Sequence, residues 1–198
     1  LATPQPANTT DVCSMFEDRR SWFRAAQRSE ARWGVPVHVS MAFIQQESTY
    51  QARVRPPRTK LLWVIPWKRP SSAFGYAQAL DATWDDYQQD TGNLGARRSN
   101  FADAIDFIGW YNRNSIQRNN IASDDARNLY LAYHQGHTGY EQGTYSDNPA
   151  LLADPPTDWG LTVMFRDLNG DGLPDLYLAG GSGPAGRRSD SRRCAPCR

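Results

Sequence analysis

Among the acidic side chains, Glu47 is the one best placed to do chemistry. It follows the apolar run Val39, Met41, Ala42, Phe43 and Ile44, and it stands directly before Ser48-Thr49-Tyr50, where a proline-bearing irregular stretch begins. Two effects at such a position raise a carboxyl pKa: apolar neighbours desolvate the charged form, and the C-terminal end of a helix is partially negative. A carboxyl group that keeps its proton near neutral pH can act as a general acid. Taken alone, the same spacing also describes an ordinary exposed glutamate at a helix end.

Two further stretches give Glu47 a context. In Ser71-Ser72-Ala73-Phe74-Gly75-Tyr76-Ala77-Gln78-Ala79 a small-residue turn precedes a helix, with Gln78 at its start. In Leu131-Ala132-Tyr133-His134-Gln135-Gly136 a tyrosine and a histidine end a helix before a glycine turn. No second acid stands out as a partner for Glu47: Asp81, Asp85 and Asp86 follow the second stretch on a helix and read as solvated. Near the end of the chain, Asp167-Leu168-Asn169-Gly170-Asp171-Gly172-Leu173-Pro174-Asp175 sets oxygen donors at alternate positions around a glycine turn. That pattern suits Ca²⁺, with Asp167, Asn169, Asp171 and Asp175 as ligands, and is similar to calcium loops of the EF-hand, dockerin and integrin-repeat type. Leu178 stands where an EF-hand has its bidentate glutamate, and a plain acidic turn is the competing reading.

The first three stretches, in this order, resemble the catalytic (SLT) domain of soluble lytic transglycosylases, glycoside hydrolase family 23. The family pattern is Glu-Ser at a helix end, then Gly-Leu-Met-Gln, then Ala-Tyr-Asn-x-Gly. Glu47-Ser48 matches the first, Gly75 and Gln78 the second, and Ala132, Tyr133 and Gly136 the third. The resemblance covers residues 11 to 145, and its wider context is similar to the lipoprotein-type branch of the family. It departs at His134, where many relatives have asparagine, in a longer loop between the first two motifs, and after Leu152, where no C-terminal helix is evident.

The resemblance implies an all-α, lysozyme-like domain that cuts the bond between N-acetylmuramic acid and N-acetylglucosamine in peptidoglycan and forms a 1,6-anhydro sugar. Glu47 would be the acid and then the base. Ser48 would orient it or touch substrate, and Gln78 and Tyr133 would bind the flanking sugars. Tyr76 would stack on a sugar or merely pack, and His134 would cap or contact the site. Catalysis needs no cofactor in this reading, and any Ca²⁺ in the tail is structural. The alternatives are a lysozyme- or chitinase-type hydrolase and a non-catalytic glycan-binding module.

The elements that must position these residues read as helices. Met15, Phe16, Trp22, Phe23 and Ala26 recur at helical spacing over Ser14 to Trp33, and Gly34 and Pro36 mark a stop and a restart. Pro36 to Glu47 is apolar enough to lie in the middle of a domain. Ala79 to Gln89 follows a long loop that carries Trp63 and Trp67, which either line a glycan groove or help the loop to dock. Asn100 is the expected N-cap of a helix bearing Phe101, Ala104, Ile105 and Ile108, and Ser123 that of a helix ending near His134. After Gly136 the chain turns irregular. About five helices around one core are expected: residues 1–10 as a tether, 11–152 as the domain and 153–198 as an irregular tail, in which Leu176 to Leu178 suggests a strand.

Composition narrows the remaining choices. The net charge is +1 and the basic residues are scattered, so nucleic acid is not an expected partner. The chain has seven Trp, nine Tyr and seven Phe, which supply both a core and rings able to stack on sugars. No apolar run approaches the roughly 18 residues that span a bilayer. The expected setting is a periplasm or the outer membrane, with room for a lipid anchor upstream of the chain, and a monomer is expected. Three cysteines fit that setting: a bridge from Cys13 to Cys194 or Cys197 would close a long loop and stabilise by roughly 4–5 kcal/mol.

Overall fold

The computed structural model describes residues 4–9, 12–56 and 71–147, and beyond these only the backbone of two short strand pairs. Six helices make up the body: α1 (Val12–Asp18), α2 (Arg20–Trp33), α3 (Val37–Ser48), α4 (Asp81–Thr91), α5 (Phe101–Asn119) and α6 (Ala126–Glu141). The stretch expected as one helix from Ser14 to Trp33 is two, broken at Arg19, whose φ of −129° leaves the helical region. No glycine or proline announces that break. Asn100 caps α5 as expected, its side chain accepting from the Ala102 and Asp103 amides at 2.9 and 3.2 Å.

At α6 the expected N-cap and the irregular chain expected after Gly136 are corrected. Its N-cap is Asp125 and not Ser123, because the Asp125 carboxylate reaches the Asn128 amide at 3.0 Å and its side chain at 2.7 Å. The first helical stretch of α6 does end near His134 as expected, at Gly136, whose backbone is not helical (φ 75°, ψ 159°), but the chain beyond is not irregular: a second helical stretch runs on to Glu141, followed by a 3₁₀ turn at Thr144–Asp147.

The frame around the site is set by α2 and α5. Gly109 lets them approach, since a Cβ there would lie 2.5 Å from Ser29 Oγ and 2.6 Å from the Trp33 ring. Ser29 donates to the Ile105 carbonyl at 2.9 Å. Asp106 gathers Arg32, Trp33 and Tyr87 at 3.0, 2.9 and 2.8 Å, tying α2 and α4 to α5. Aromatic rings fill much of the core: Trp22 stacks on Phe101 at 3.9 Å, and Phe107 meets Trp84, Tyr87 and Trp110. Among the described residues no helix is long and apolar enough to cross a membrane.

The N-terminal residues, expected as a tether, run across this body where they are described. Pro6 is buried, Arg19 donates to the Pro4 carbonyl at 2.9 Å, and the Gln5 side chain donates to the Thr49 carbonyl at 2.7 Å. The strand pairs are β1 (Lys60–Leu61) with β2 (Ile65–Pro66), inside the long loop, and β3 (Thr162–Arg166) with β4 (Asp175–Ala179), in the tail, both antiparallel. In the second pair Val163 faces Leu178. The Ca²⁺ pattern falls between β3 and β4 and, save for the backbone of Asp175, lies outside the described residues, as do Trp63, Trp67, Cys194, Cys197 and the side chain of Cys13.

Candidate active site

The helix that delivers Glu47 is enclosed nearly all round, with only Gln46 exposed. Val39, Met41, Phe43 and Ile44 on α3 are each at most 1% exposed, which fixes the helix between α2, α5 and α6. Directly after Glu47-Ser48 the backbone turns left-handed at two residues that are not glycine, Thr49 (φ 49°) and Tyr50 (φ 59°). A β-branched and an aromatic residue in that region each carry strain of order 1–3 kcal/mol. Packing holds them there: Tyr50 is fully buried and its hydroxyl donates to the Met41 carbonyl at 3.1 Å, while the Thr49 amide closes onto the Gln45 carbonyl at 2.8 Å. The acid therefore sits on a helix end that is closed off at once by a forced turn.

Glu47 is part-buried. Loss of solvent raises its carboxyl group from the ordinary 4.5 to about 7, and the Tyr130 side chain pulls the other way. Tyr130 and Tyr133 project from α6 onto α3, and both rings stand edge-on to Phe43, at 5.4 and 5.3 Å. The Tyr130 hydroxyl lies beside Glu47 and Gln46; burial first, then the Glu47 charge, pushes its pKa up, and the Gln46 side chain draws it the other way. Tyr133 is raised as well, by burial first and then by the Glu47 charge.

The third wall is the turn at Gly75–Gln78. The Gly75 amide donates to Val54 and the Tyr76 amide to Arg98, both at 3.1 Å. Gly75 has φ 82° and lies so close to the next segment that a Cβ would stand 2.1 Å from the Arg98 carbonyl oxygen. Gln78 is left-handed too, at φ 47°, and its amide nitrogen donates to the Gly75 and Val54 carbonyls at 2.8 and 3.1 Å. Arg98 holds the ends of this loop through the Ser72 and Ala79 carbonyls, at 3.1 and 2.9 Å, and through Asp81 at 2.6 Å. The Tyr133 hydroxyl donates to the Ala77 carbonyl, so α6 is pinned to the turn.

The structure thus brings Glu47, Tyr133 and the Gln78 turn together, and it separates others. Tyr76 is fully buried, edge-on to Trp22 and Phe101 at 5.7 and 5.6 Å, so it packs in the core and offers no face to a sugar. Ser48 is 4% exposed, and its hydroxyl donates to the Ile44 carbonyl of its own helix at 3.1 Å, which leaves it an internal helix contact rather than a group facing substrate. His134 is exposed on α6, its ring 6.3 Å from that of Tyr130. The contact that sequence reasoning missed is Tyr130. It lies three residues before Tyr133, one helical step along the same face, and that spacing was its only signal.

A separate cavity of about 640 Å³ opens between α4, α5 and the end of α6, lined by Asp86, Asp90, Trp110, Tyr111, Arg118 and His137 among others. Tyr111 forms its inner side and touches Tyr133, ring centres 4.9 Å apart. His137 stacks on Tyr111 at 4.4 Å and bonds the Ser115 hydroxyl at 3.0 Å. Among the described residues no group of three histidine, cysteine or acidic side chains is placed to hold a metal ion.

A family model described as "Transglycosylase SLT domain" matches residues 1–155 of the chain. No curated protein matches it.

Proposed function

Because the chain belongs to the transglycosylase SLT domain family, we propose that it is a peptidoglycan lytic transglycosylase that uses Glu47 first as acid and then as base. The observation that carries this reading is the placement of Glu47 at the end of α3, beside the α6 tyrosines that are pinned to the Gly75–Gln78 turn, where loss of solvent pushes its carboxyl group up to about 7. Near neutral pH such a group is populated in both protonation states, which a residue that must give a proton and then take one requires.

In the reaction proposed, protonated Glu47 donates to the glycosidic oxygen between N-acetylmuramic acid and N-acetylglucosamine as the C1–O bond breaks. The resulting carboxylate then removes the proton of the muramoyl 6-hydroxyl while that oxygen bonds to C1. No water is consumed, the carboxyl group is restored, and the product ends in a 1,6-anhydro ring. Among the described residues no second carboxylate bears on Glu47, which favours one carboxyl group in two roles over the two-carboxylate arrangement of most glycosidases. The Gln78 amide nitrogen is engaged with the backbone, so its oxygen is the atom left to accept from a sugar. Tyr133 would support the site through Ala77 and line it beside Glu47. A peptidoglycan substrate implies action outside the cytoplasm, with the periplasm or the outer membrane as the proposed setting. The reaction itself requires no cofactor, and Ca²⁺ at Asp167, Asn169, Asp171 and Asp175 would serve only to order the tail.

The test is product analysis of digested sacculi by mass spectrometry. Wild type should release muropeptides one water lighter than hydrolysis gives, and Glu47→Gln should remain folded and release none. Hydrolysed ends would favour a lysozyme-type reaction. Binding to sacculi without any release by the wild type would point to a glycan-binding module.

A further inference from the structure

A carboxyl group that donates and then accepts must keep one orientation through both steps, a requirement that rests on the proposed role of Glu47. α6 supplies the means. Tyr130 is 8% exposed and its ring is fixed edge-on to Phe43. Phe43 and Glu47 are four residues apart on α3 and share a face of that helix, so a ring seated on Phe43 carries its hydroxyl toward Glu47. We propose that Tyr130 is a positioning residue for Glu47, a buried phenol that grips one carboxyl oxygen and leaves the other to face the scissile bond.

Gln46 is the second polar neighbour of the phenol. Its side chain draws the Tyr130 pKa down, the effect of a donor on the phenol oxygen, and such a donor leaves the phenol proton for Glu47. Tyr130 is then a donor to the carboxyl group and not a competitor for its proton. While Glu47 is protonated, the gripped oxygen is its carbonyl oxygen and the proton resides on the outward one. Once Glu47 is ionised, the same bond strengthens, because donors bind charged acceptors more tightly. Among the described residues Tyr130 and Tyr133 act on Glu47 from α6, and both are raised, so neither is charged when Glu47 ionises; His134, its ring 6.3 Å from that of Tyr130, is the other titratable side chain on that face.

The test is Tyr130→Phe, which keeps the ring on Phe43 and removes only the hydroxyl. Carbon-13 NMR of glutamate carboxyl groups, with Glu47 assigned through Glu47→Gln, reads the grip without turnover. The Glu47 midpoint should move up by about one pH unit, since a hydrogen bond that favours the carboxylate is lost. On glycan strands kcat should fall on the order of ten-fold with KM little changed. The alkaline limb of kcat/KM should move up by the same interval as the NMR midpoint. Gln46→Leu should move both in the same direction by less. An unmoved midpoint in a folded Tyr130→Phe protein would overturn the proposal, as would a loss of kcat with the alkaline limb unmoved. If Glu47→Gln kept its activity, the role of the acid would fail on its own, separately from the NMR result.

Discussion

Replacing the acid should make the protein more stable, and only at one end of the pH scale. Burial raises Glu47 from 4.5 to about 7, so the folded state holds a proton that the unfolded state gives up over that interval. The contribution of Glu47 to stability therefore falls as pH rises. The folded state is favoured fully below 4.5, loses that advantage as pH rises toward 7, and above 7 carries the whole cost of a desolvated carboxylate. At about 1.4 kcal/mol per pH unit, the gap comes to about 3 kcal/mol, and the part-exposed side chain makes 2–3 kcal/mol the working figure. Glu47→Gln has no charge to lose and can still accept from the Tyr130 hydroxyl. The variant should match wild type near pH 4 and exceed it by about 2–3 kcal/mol near pH 8, a rise in Tm of roughly 2–4 °C for each kcal/mol. Urea unfolding of both proteins at the two pH values measures it. A difference that is the same at both, or that is below about 0.5 kcal/mol at pH 8, would refute the claim that burial sets the acid's pKa.

Two further substitutions probe the frame. Gly75→Ala forces a Cβ to within 2.1 Å of the Arg98 carbonyl oxygen at φ 82°, where both contact and backbone are unfavourable. It should cost about 3 kcal/mol or more in denaturant unfolding and lower activity with it, because the turn carries Gln78 and the Ala77 carbonyl. Asn100→Ala removes the acceptor for the Ala102 and Asp103 amides and should cost about 1 kcal/mol, with the pH–rate profile unchanged.

The parts of the molecule that sequence made legible are those governed by local rules. Asn100 caps α5 because a short polar side chain before Phe101 meets free amides whatever the rest of the fold does. Glu47 was legible because an apolar helix that stops at a carboxylate constrains that carboxylate. Tyr130 was not, because beside Leu129 and Tyr133 it reads as one more member of an apolar stripe. Its hydroxyl gains meaning only once Phe43 has fixed where the ring lies. Tyr76 shows the converse: a motif position suggested a sugar, and packing between Trp22 and Phe101 decided otherwise. The second helical stretch beyond Gly136 escaped for a related reason. The glycine ends the first stretch as its type suggests, but Arg118 pairs with Glu141 at 2.6 Å and reaches Thr138 at 3.0 Å, holding the segment after the break against α5.

The contact of Gln5 with the Thr49 carbonyl has a mechanical meaning. Arg19 at the N-cap of α2 and Thr49, two residues from Glu47, both hold the segment at Pro4 and Gln5. Lifting that segment off the body would therefore strip one partner from the left-handed turn that directly follows Glu47-Ser48.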